Sequence, residues 1–498
     1  MKSLGMVSMS SPHPSDHLRT FQRSGRHCSG VVHFSASSSQ CPDRIIRSMY
    51  LAKPKCFFLE RHLIFDDDLT MWLVVYQRFE HISSYTLKTL FSRPSTSLSK
   101  MVGILRVRQQ EALYHPVVQE LFDWIDAAPD RRASFAEAIS TATNKGATDM
   151  QDIRCLSDWF SFLDSLLLWV PSESIDATEI FNRFCKLCFV LDQPSVILYQ
   201  SPVTPDSSKE FSFVSEWIIR FNITFGTFMD TPGSLTPESL DTFEANPSFH
   251  LSEYLRPRGG WRSFNEFFAR QFKPGHRPIA AVEDSSVIVS PVDFTFGQQL
   301  KISSSSTVTA KGLTWSISEL MVDSPFKDHF HGGTWMHGFI GESDYHRVHA
   351  PIGGNVVEAR VMSGQHYALI ETMDLETETN ESKASGKEGN KKTLHKRRVL
   401  HAPNEPGYQF VQGRGLIVLE TKVGMVAVLP VGMSVVSSVI LTAEEGVTLR
   451  KGEELGYFQF GGSDVVLMFE SKRKVVLDAE PGVHYRMGAQ IGNVQELS

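Results

Sequence analysis

The hydrophobic period changes once along this chain, and that change sets what it can fold into. Before about residue 285 apolar residues recur at helical spacing; after it they fall into short β-rich runs. Val117, Val118, Leu121, Phe122, Trp124 and Ile125 form one helical stripe. Leu156, Trp159, Phe160, Leu163, Leu166 and Leu167 form a second, and Trp217, Ile218 and Phe221 mark a third. Ser263-Phe264-Asn265-Glu266 fits a capping box, in which serine and glutamate each satisfy the other's end of a helix start, and Lys273-Pro274-Gly275 ends that helix. Runs at 287–289, 356–361, 416–419, 425–429, 435–441, 456–460 and 465–469 then read as strands separated by Gly or Pro. The fold class is α+β: a helical N-terminal region followed by a mainly β domain.

Three segments follow from this pattern. Residues 1–100 read as a disordered tail or as sequence upstream of the true start, with Met101 opening the orderly part. The first 40 residues have a transit-peptide-like composition, but Pro12 and Pro14 break any amphipathic helix. Residues 101–255 form the helical domain and 256–498 the β domain. Within the latter, 373–398 runs from acidic (Asp374, Glu376, Glu378) to basic (Lys396, Arg397, Arg398) without apolar periodicity, and is expected to be a mobile insertion.

Composition narrows the function. A net charge of -7 argues against a general nucleic-acid binder. No apolar run approaches the roughly 18 residues that a membrane-spanning helix requires. The six cysteines suggest no disulfide framework, and Cys185-Lys-Leu-Cys188 is a lone pair inside an apolar stretch, read as core. Cytoplasmic or peripheral placement at an intracellular membrane is the expectation, ahead of mitochondrial. The basic end of the insertion is the candidate for contact with an anionic membrane surface.

Three short stretches carry candidate chemistry. Ser290-Pro291-Val292-Asp293 follows a strand, and by itself its aspartate is an ordinary turn former. Tyr345-His346-Arg347-Val348-His349-Ala350-Pro351 offers two histidines able to move protons near neutral pH, although a surface loop would look the same. Phe460-Gly461-Gly462-Ser463-Asp464 lies between two strands and reads as a hairpin turn. It also reads as a backbone free to adopt strained dihedrals, with a hydroxyl one residue from the Gly462 carbonyl.

In this order and at this spacing, the three stretches resemble the phosphatidylserine decarboxylase family. So do the helix and turn from Phe264 through Lys273-Pro274-Gly275-His276-Arg277-Pro278, and Lys451-Gly452-Glu453-Glu454-Leu455-Gly456 ahead of the Gly-Gly-Ser. The resemblance covers about residues 250–498. Two positions depart from it: Asp464 stands where threonine is common after the serine, and Phe294 where glycine usually ends the aspartate motif.

The resemblance implies a self-cleaving enzyme. Asp293 would orient His349, His349 would deprotonate Ser463, and Ser463 would attack the Gly462 carbonyl. The chain would part there and leave a pyruvoyl cofactor at residue 463, with neither metal nor pyridoxal phosphate. His346 would be the proton donor in each decarboxylation. The substrate would be an amine-bearing carboxylate: phosphatidylserine, giving phosphatidylethanolamine, or a free amino acid such as tryptophan. A different class remains open on the residues alone, a metal-binding β-barrel using His329, His331, His337, His346 and His349.

Overall fold

The computed structural model describes residues 28–34, 59–65 and 71–77, and then 113–495 apart from 206–209, 311, 367, 381–391, 404–406 and 434–437. Residues 1–111 form one unit, in which β1 (Cys28–Phe34), β2 (Leu59–Phe65) and β3 (Met71–Gln77) make an antiparallel sheet in the order β1-β3-β2. The expected tail thus contains three strands; Met101 lies outside the described residues.

The second unit, 112–498, begins with the helices Pro116–Asp126, Pro129–Asn144, Leu156–Leu166, Glu179–Leu191 and Phe213–Met229, of which the first, third and fifth lie where the stripes place them. Proline opens the first two, where its missing N–H has no helical partner to lose. The stripe residues Val118, Leu121, Ile125, Trp159, Phe160, Leu163, Trp217 and Phe221 are buried in one core that continues into the β region. The short helix Phe264–Phe268 starts as expected, with Ser263 Oγ accepting from Glu266 N at 3.2 Å. Its glutamate, however, accepts from Arg262 N rather than from the serine's own N–H, so the box is half formed.

In chain order the strands are β4 (Val287–Val289), β5 (Phe294–Lys301), β6 (Thr307–Ala310), β7 (Leu313–Ser316), β8 (Thr334–Ile340), β9 (Arg347–His349) and β10 (Gly354–Met362). After these come β11 (Glu371–Asn380), β12 (Lys392–His401), β13 (Arg414–Thr421), β14 (Gly424–Met433), β15 (Val439–Leu441) and β16 (Thr448–Leu449). The last are β17 (Glu454–Phe458), β18 (Gly462–Phe469), β19 (Lys474–Leu477), β20 (His484–Tyr485) and β21 (Gln490–Gln495). Eight of them form the main sheet in the order β16-β10-β13-β14-β18-β8-β5-β20. β18 is therefore central, paired antiparallel with β14 on one side and β8 on the other.

Both faces of β18 are buried. Val465, Leu467 and Phe469 point into the core shared with the helices, whereas Val466 and Met468 point into a second core with Trp315, Trp335 and Phe410. Such two-sided burial explains why 465–469 reads as a continuous apolar run instead of an alternation.

Of the charged stretch 373–398, expected as a mobile insertion, the described residues 373–380 and 392–398 form two paired arms. β11 and β12 run antiparallel from Glu371↔His401 to Asn380↔Lys392. The acidic arm faces the basic one, with Asp374 opposite Arg398 and Glu376 opposite Lys396, each pair joined by a salt bridge of 2.8 and 2.6 Å respectively. Charge that looks merely solvated in a linear reading becomes cross-strand pairing once the chain folds back.

Close approach in the main sheet depends on Gly338 of β8, where an added Cβ would overlap the Phe294 ring. Gly338→Ala should therefore cost about 1–3 kcal/mol through overpacking, read as a lowered thermal midpoint. Gly233→Ala, where the nearest neighbours stand at 3.7 Å, should change stability by no more than about 0.5 kcal/mol. Equal effects from the two would contradict this packing.

Candidate active site

Ser463 is the second residue of β18 and is fully buried. It pairs with Gly432 of β14 and Ile340 of β8, so its backbone is held from both sides. Gly461, just before the strand, has φ +145°, which an L side chain rarely adopts. Phe460 precedes it and anchors the turn in the helical layer: its ring lies 5.2 Å from Phe184, 5.8 Å from Phe225, 4.6 Å from Phe264 and 5.4 Å from Phe268. The Phe460 amide donates to Asn265 Oδ1 at 2.9 Å, tying the same turn to the short helix.

The histidine motif meets this turn from the other side. His346 is fully buried, stacks on Phe268 at 3.8 Å, and places Nδ1 at 3.4 Å from Ser463 Oγ. Its Nε2 faces the Glu342 carbonyl at 3.3 Å. A carbonyl only accepts, so the proton sits on Nε2 and the Nδ1 lone pair faces the serine hydroxyl. Two arginines brace the backbone nearby: Arg270 donates to the carbonyls of Ser343 and Asp344, and Arg347 donates to the Ala269 carbonyl. Burial, reinforced by the Arg270 charge, pushes the His346 pKa down to about 3.

His349 and Asp293 have other partners. His349 Nδ1 donates to the Gly452 carbonyl at 2.8 Å, and its Nε2 accepts from Tyr345 Oη at 2.9 Å. Burial lowers its pKa as well. Asp293 takes Arg277 through both oxygens, at 3.2 and 2.8 Å, and also accepts from Met487 N at 2.6 Å. Arg277 in turn reaches Glu253 at 2.6 Å. Among the described residues, Ser463 and His346 are brought together, whereas Asp293, His349 and Ser463 are not joined in one hydrogen-bonded chain. The negative charge of Asp293 still acts on His349.

Several residues here escape the motif reading. Arg277 lies in the quoted turn segment, but nothing in sequence names it as the partner of Asp293. His337, Tyr408 and Gln409 surround Asp464 on the far face of β18, with His337 Nδ1 at 2.9 Å, Tyr408 Oη at 2.7 Å and Gln409 Nε2 at 3.4 Å from Oδ2. The five histidines of the metal-barrel alternative do not converge: His329 faces Glu470 and His331 faces Asp328, away from the partners of His337, His346 and His349 given above. Among the described residues no three His, Cys, Asp or Glu side chains gather as a set able to hold a metal. None of the described helices is long and apolar enough to cross a membrane.

A buried serine after a glycine turn, faced by the lone pair of a neutral histidine, is the equipment of an intramolecular acyl shift. Comparison with known proteins agrees with that class. The family model for phosphatidylserine decarboxylase matches residues 264–493. A phosphatidylserine decarboxylase proenzyme of Anaeromyxobacter is 31% identical over 252 residues, which is 47% of this chain and 78% of the relative. One from Fusobacterium nucleatum is 29% identical over 268 residues, 54% of this chain and 76% of the relative. The decarboxylase iboD of Amanita muscaria is 27% identical over 277 residues, 53% and 76% respectively. The chain belongs to the phosphatidylserine decarboxylase family, a family of carboxy-lyases.

The buried histidines have a measurable consequence. Burial brings His366, beside Asn222, down to about 4, so His346 and His366 stay neutral in the fold well below pH 6.5, and burial shifts His349 in the same direction. The unfolded chain takes up those protons near pH 6.5. Below that pH it therefore binds more protons than the folded chain, and stability falls with the pH. For Ser463→Ala protein, stability in urea should drop between about pH 6.5 and about pH 4.5, by up to ~1.4 kcal/mol per pH unit for each such histidine. His366→Phe should flatten that slope by about one histidine's share; an unchanged slope would show that His366 titrates normally in the fold.

Proposed function

We propose that the chain cuts itself between Gly462 and Ser463, and that with the pyruvoyl group so formed at residue 463 it decarboxylates phosphatidylserine to phosphatidylethanolamine. The observation that carries this reading is the Ser463 Oγ to His346 Nδ1 approach of 3.4 Å inside the central sheet. The relatives' names, phosphatidylserine decarboxylase proenzyme, support both the processing and the substrate.

His346 takes the Ser463 proton as Oγ attacks the Gly462 carbonyl carbon, and the acyl group passes from nitrogen to oxygen as an ester. Loss of the Ser463 α-proton then expels the ester oxygen, leaving Gly462 with a free carboxylate and residue 463 as dehydroalanine. Tautomerisation and reaction with water release ammonia and leave the ketone. A base held down to about 3 is a weak one. It suffices because the step is intramolecular and occurs once per molecule.

The site fits the group. Residue 463 is fixed between β14 and β8, and the small chain from 463 onward stays in place because β18, β20 and β21 all pair with strands of the large chain. The Asp293 bond to Met487 adds a tie between the two pieces. The ladders to β14 and β8 would hold the pyruvoyl group at residue 463, where it would supply a carbonyl for a substrate amine and a sink for the electron pair left by CO2. His346 remains against residue 463 to return a proton. Asp293 and His349 act as positioning residues around it. A lipid substrate is met at a membrane surface, so the protein works in peripheral contact with one.

Intact-mass analysis tests this. The purified chain should resolve under denaturing conditions into pieces ending at Gly462 and beginning at a modified residue 463, and should elute as one species under native conditions. Ser463→Ala should stay whole. His346→Ala should also stay whole, and His349→Ala should be cut more slowly than the parent. Normal cutting in His346→Ala together with none in His349→Ala would pass the base to His349 and Asp293. Cutting of Ser463→Ala at the same bond would sink the proposal.

A further inference from the structure

His346 takes its orientation from the turn that precedes it. Its Nε2 donates to the Glu342 carbonyl at 3.3 Å, and Glu342 lies inside the turn from Gly341 to Asp344. Asp344 closes that turn twice. Its amide donates to the Gly341 carbonyl at 3.0 Å, and its Oδ2 accepts from the Gly341 amide at 2.9 Å. Arg270 fastens the same turn through the carbonyls of Ser343 and Asp344. The other carboxylate oxygen of Asp344, Oδ1, lies 2.9 Å from Nε2 of His484. His484 opens β20, the edge strand of the main sheet, where it pairs with Thr295 of β5. Flanking backbone bonds fix it there: the Phe296 amide donates to the Val483 carbonyl at 2.9 Å, and the Gly482 amide donates to the Phe296 carbonyl at 2.8 Å. The His484 side chain is 43% exposed and that of Asp344 only 17%. A line of contacts thus runs from a surface residue to the serine: His484 to Asp344, Asp344 to the turn, the turn to His346 Nε2, and His346 Nδ1 to Ser463 Oγ.

Charge decides how firmly the first of these contacts holds. A hydrogen bond between ionised groups is roughly twice as strong as one between neutral groups. The hydrogen bond to Asp344 raises the His484 pKa above its ordinary value; partial burial opposes this, the charges of Asp344 and Asp293 add to it, and that of Arg486 subtracts. Arg486 itself faces Glu253, 3.6 Å away. His484 is therefore mostly protonated at about pH 6.5 in the fold, and gives up its proton only at higher pH. His346, brought down to about 3, stays neutral across that whole range, so its own titration contributes nothing there.

We propose that His484 is a positioning residue for the self-cutting step: its imidazolium holds Asp344, Asp344 holds the turn, and the turn aims His346 at Ser463. His484 meets neither the substrate nor the reacting atoms. The clamp is complete while His484 is charged and slackens as rising pH removes the proton. It also bridges the proposed cut, since Asp344 lies before Gly462 in the chain and His484 after it. The inference rests on the reading of Ser463 as nucleophile and His346 as its base.

Chains made by cell-free synthesis are diluted into buffers from about pH 5.5 to about pH 9, and cutting is followed on denaturing gels. The quantity to read is the parent rate divided by the His484→Gln rate, because any pH-dependence common to both cancels. It should be roughly three- to tenfold at the acid end, below the hundredfold that an ångström of misplacement can cost, and fall to about one at the alkaline end. His484→Lys, which keeps its charge to about pH 10, should cut faster than His484→Gln throughout. A ratio of one at every pH would overturn the proposal, and so would a ratio that does not change with pH, which is the mark of a merely structural residue. A His484→Lys chain no faster than His484→Gln would overturn it too. A second measurement does not need cutting. In the uncut Ser463→Ala chain, an NMR titration should place His484 above about 6.5, its signal assigned by loss in His484→Gln, and Asp344→Asn should bring it back toward that value. An unmoved His484 in Asp344→Asn would overturn the clamp; if Asp344→Asn does not fold, the two His484 variants decide alone. Cutting of Ser463→Ala would instead strike the self-cleavage reading, a failure seen on the gel and not in the titration.

Discussion

The structure depends on the burial of β18 on both faces in the middle of its sheet. A strand so placed can neither slide nor rotate: a one-residue slip would put Ser463 into the second core and Asp464 against His346. Phe460 secures the register from outside the sheet. Its ring packs near residues from three helices, Glu179–Leu191, Phe213–Met229 and Phe264–Phe268, so the helical region acts as the backing plate of the turn that precedes the proposed scissile bond. Removing a buried aromatic ring of this kind typically costs ~3–5 kcal/mol, a large part of the stability of an ordinary domain.

With the strand fixed, the two faces hold different groups. The face toward the helices holds Ser463 and His346 among phenylalanine rings, where exclusion of water keeps the imidazole neutral and its lone pair available. The opposite face holds a carboxylate that the apolar core would not tolerate alone, and surrounds it with a histidine, a tyrosine and a glutamine. Two such different environments sit on adjacent residues of a single strand because side chains alternate across a sheet.

Much of this was legible in the sequence, for identifiable reasons. Helices and strands announced themselves because burial imposes periods of 3.6 and 2, and the stripe through Trp159 and Leu163 is buried where the pattern placed it. The Gly-Gly-Ser turn was legible because a φ of +145° at Gly461 demands glycine. What stayed hidden was pairing between distant segments. The two arms of 373–398 read as solvated charge because the register setting Asp374 against Arg398 exists only after folding. The partners of Asp293 and His349 were hidden for the same reason. Two histidines three residues apart gave no sign of direction: His349 ends β9 and turns to Tyr345 and Gly452, while His346, just before that strand, turns to Ser463.

A cut inside a central strand would ordinarily ruin a sheet, and here the topology would prevent that. The peptide bond proposed to break lies at the very start of β18, so the ladder to β14 and β8 would continue through Phe469 on the small-chain side. The large chain would end beside Phe460, whose ring is packed among the helices. A new end at residue 463 would be held in place, since strands after it are paired with β5 and β4 as well. A reactive ketone needs a fixed position relative to its proton donor within a few tenths of an ångström. A chain end within a central strand would meet that requirement better than one on a surface loop, so the burial that makes Ser463 hard to reach would also make residue 463 useful after the proposed cut.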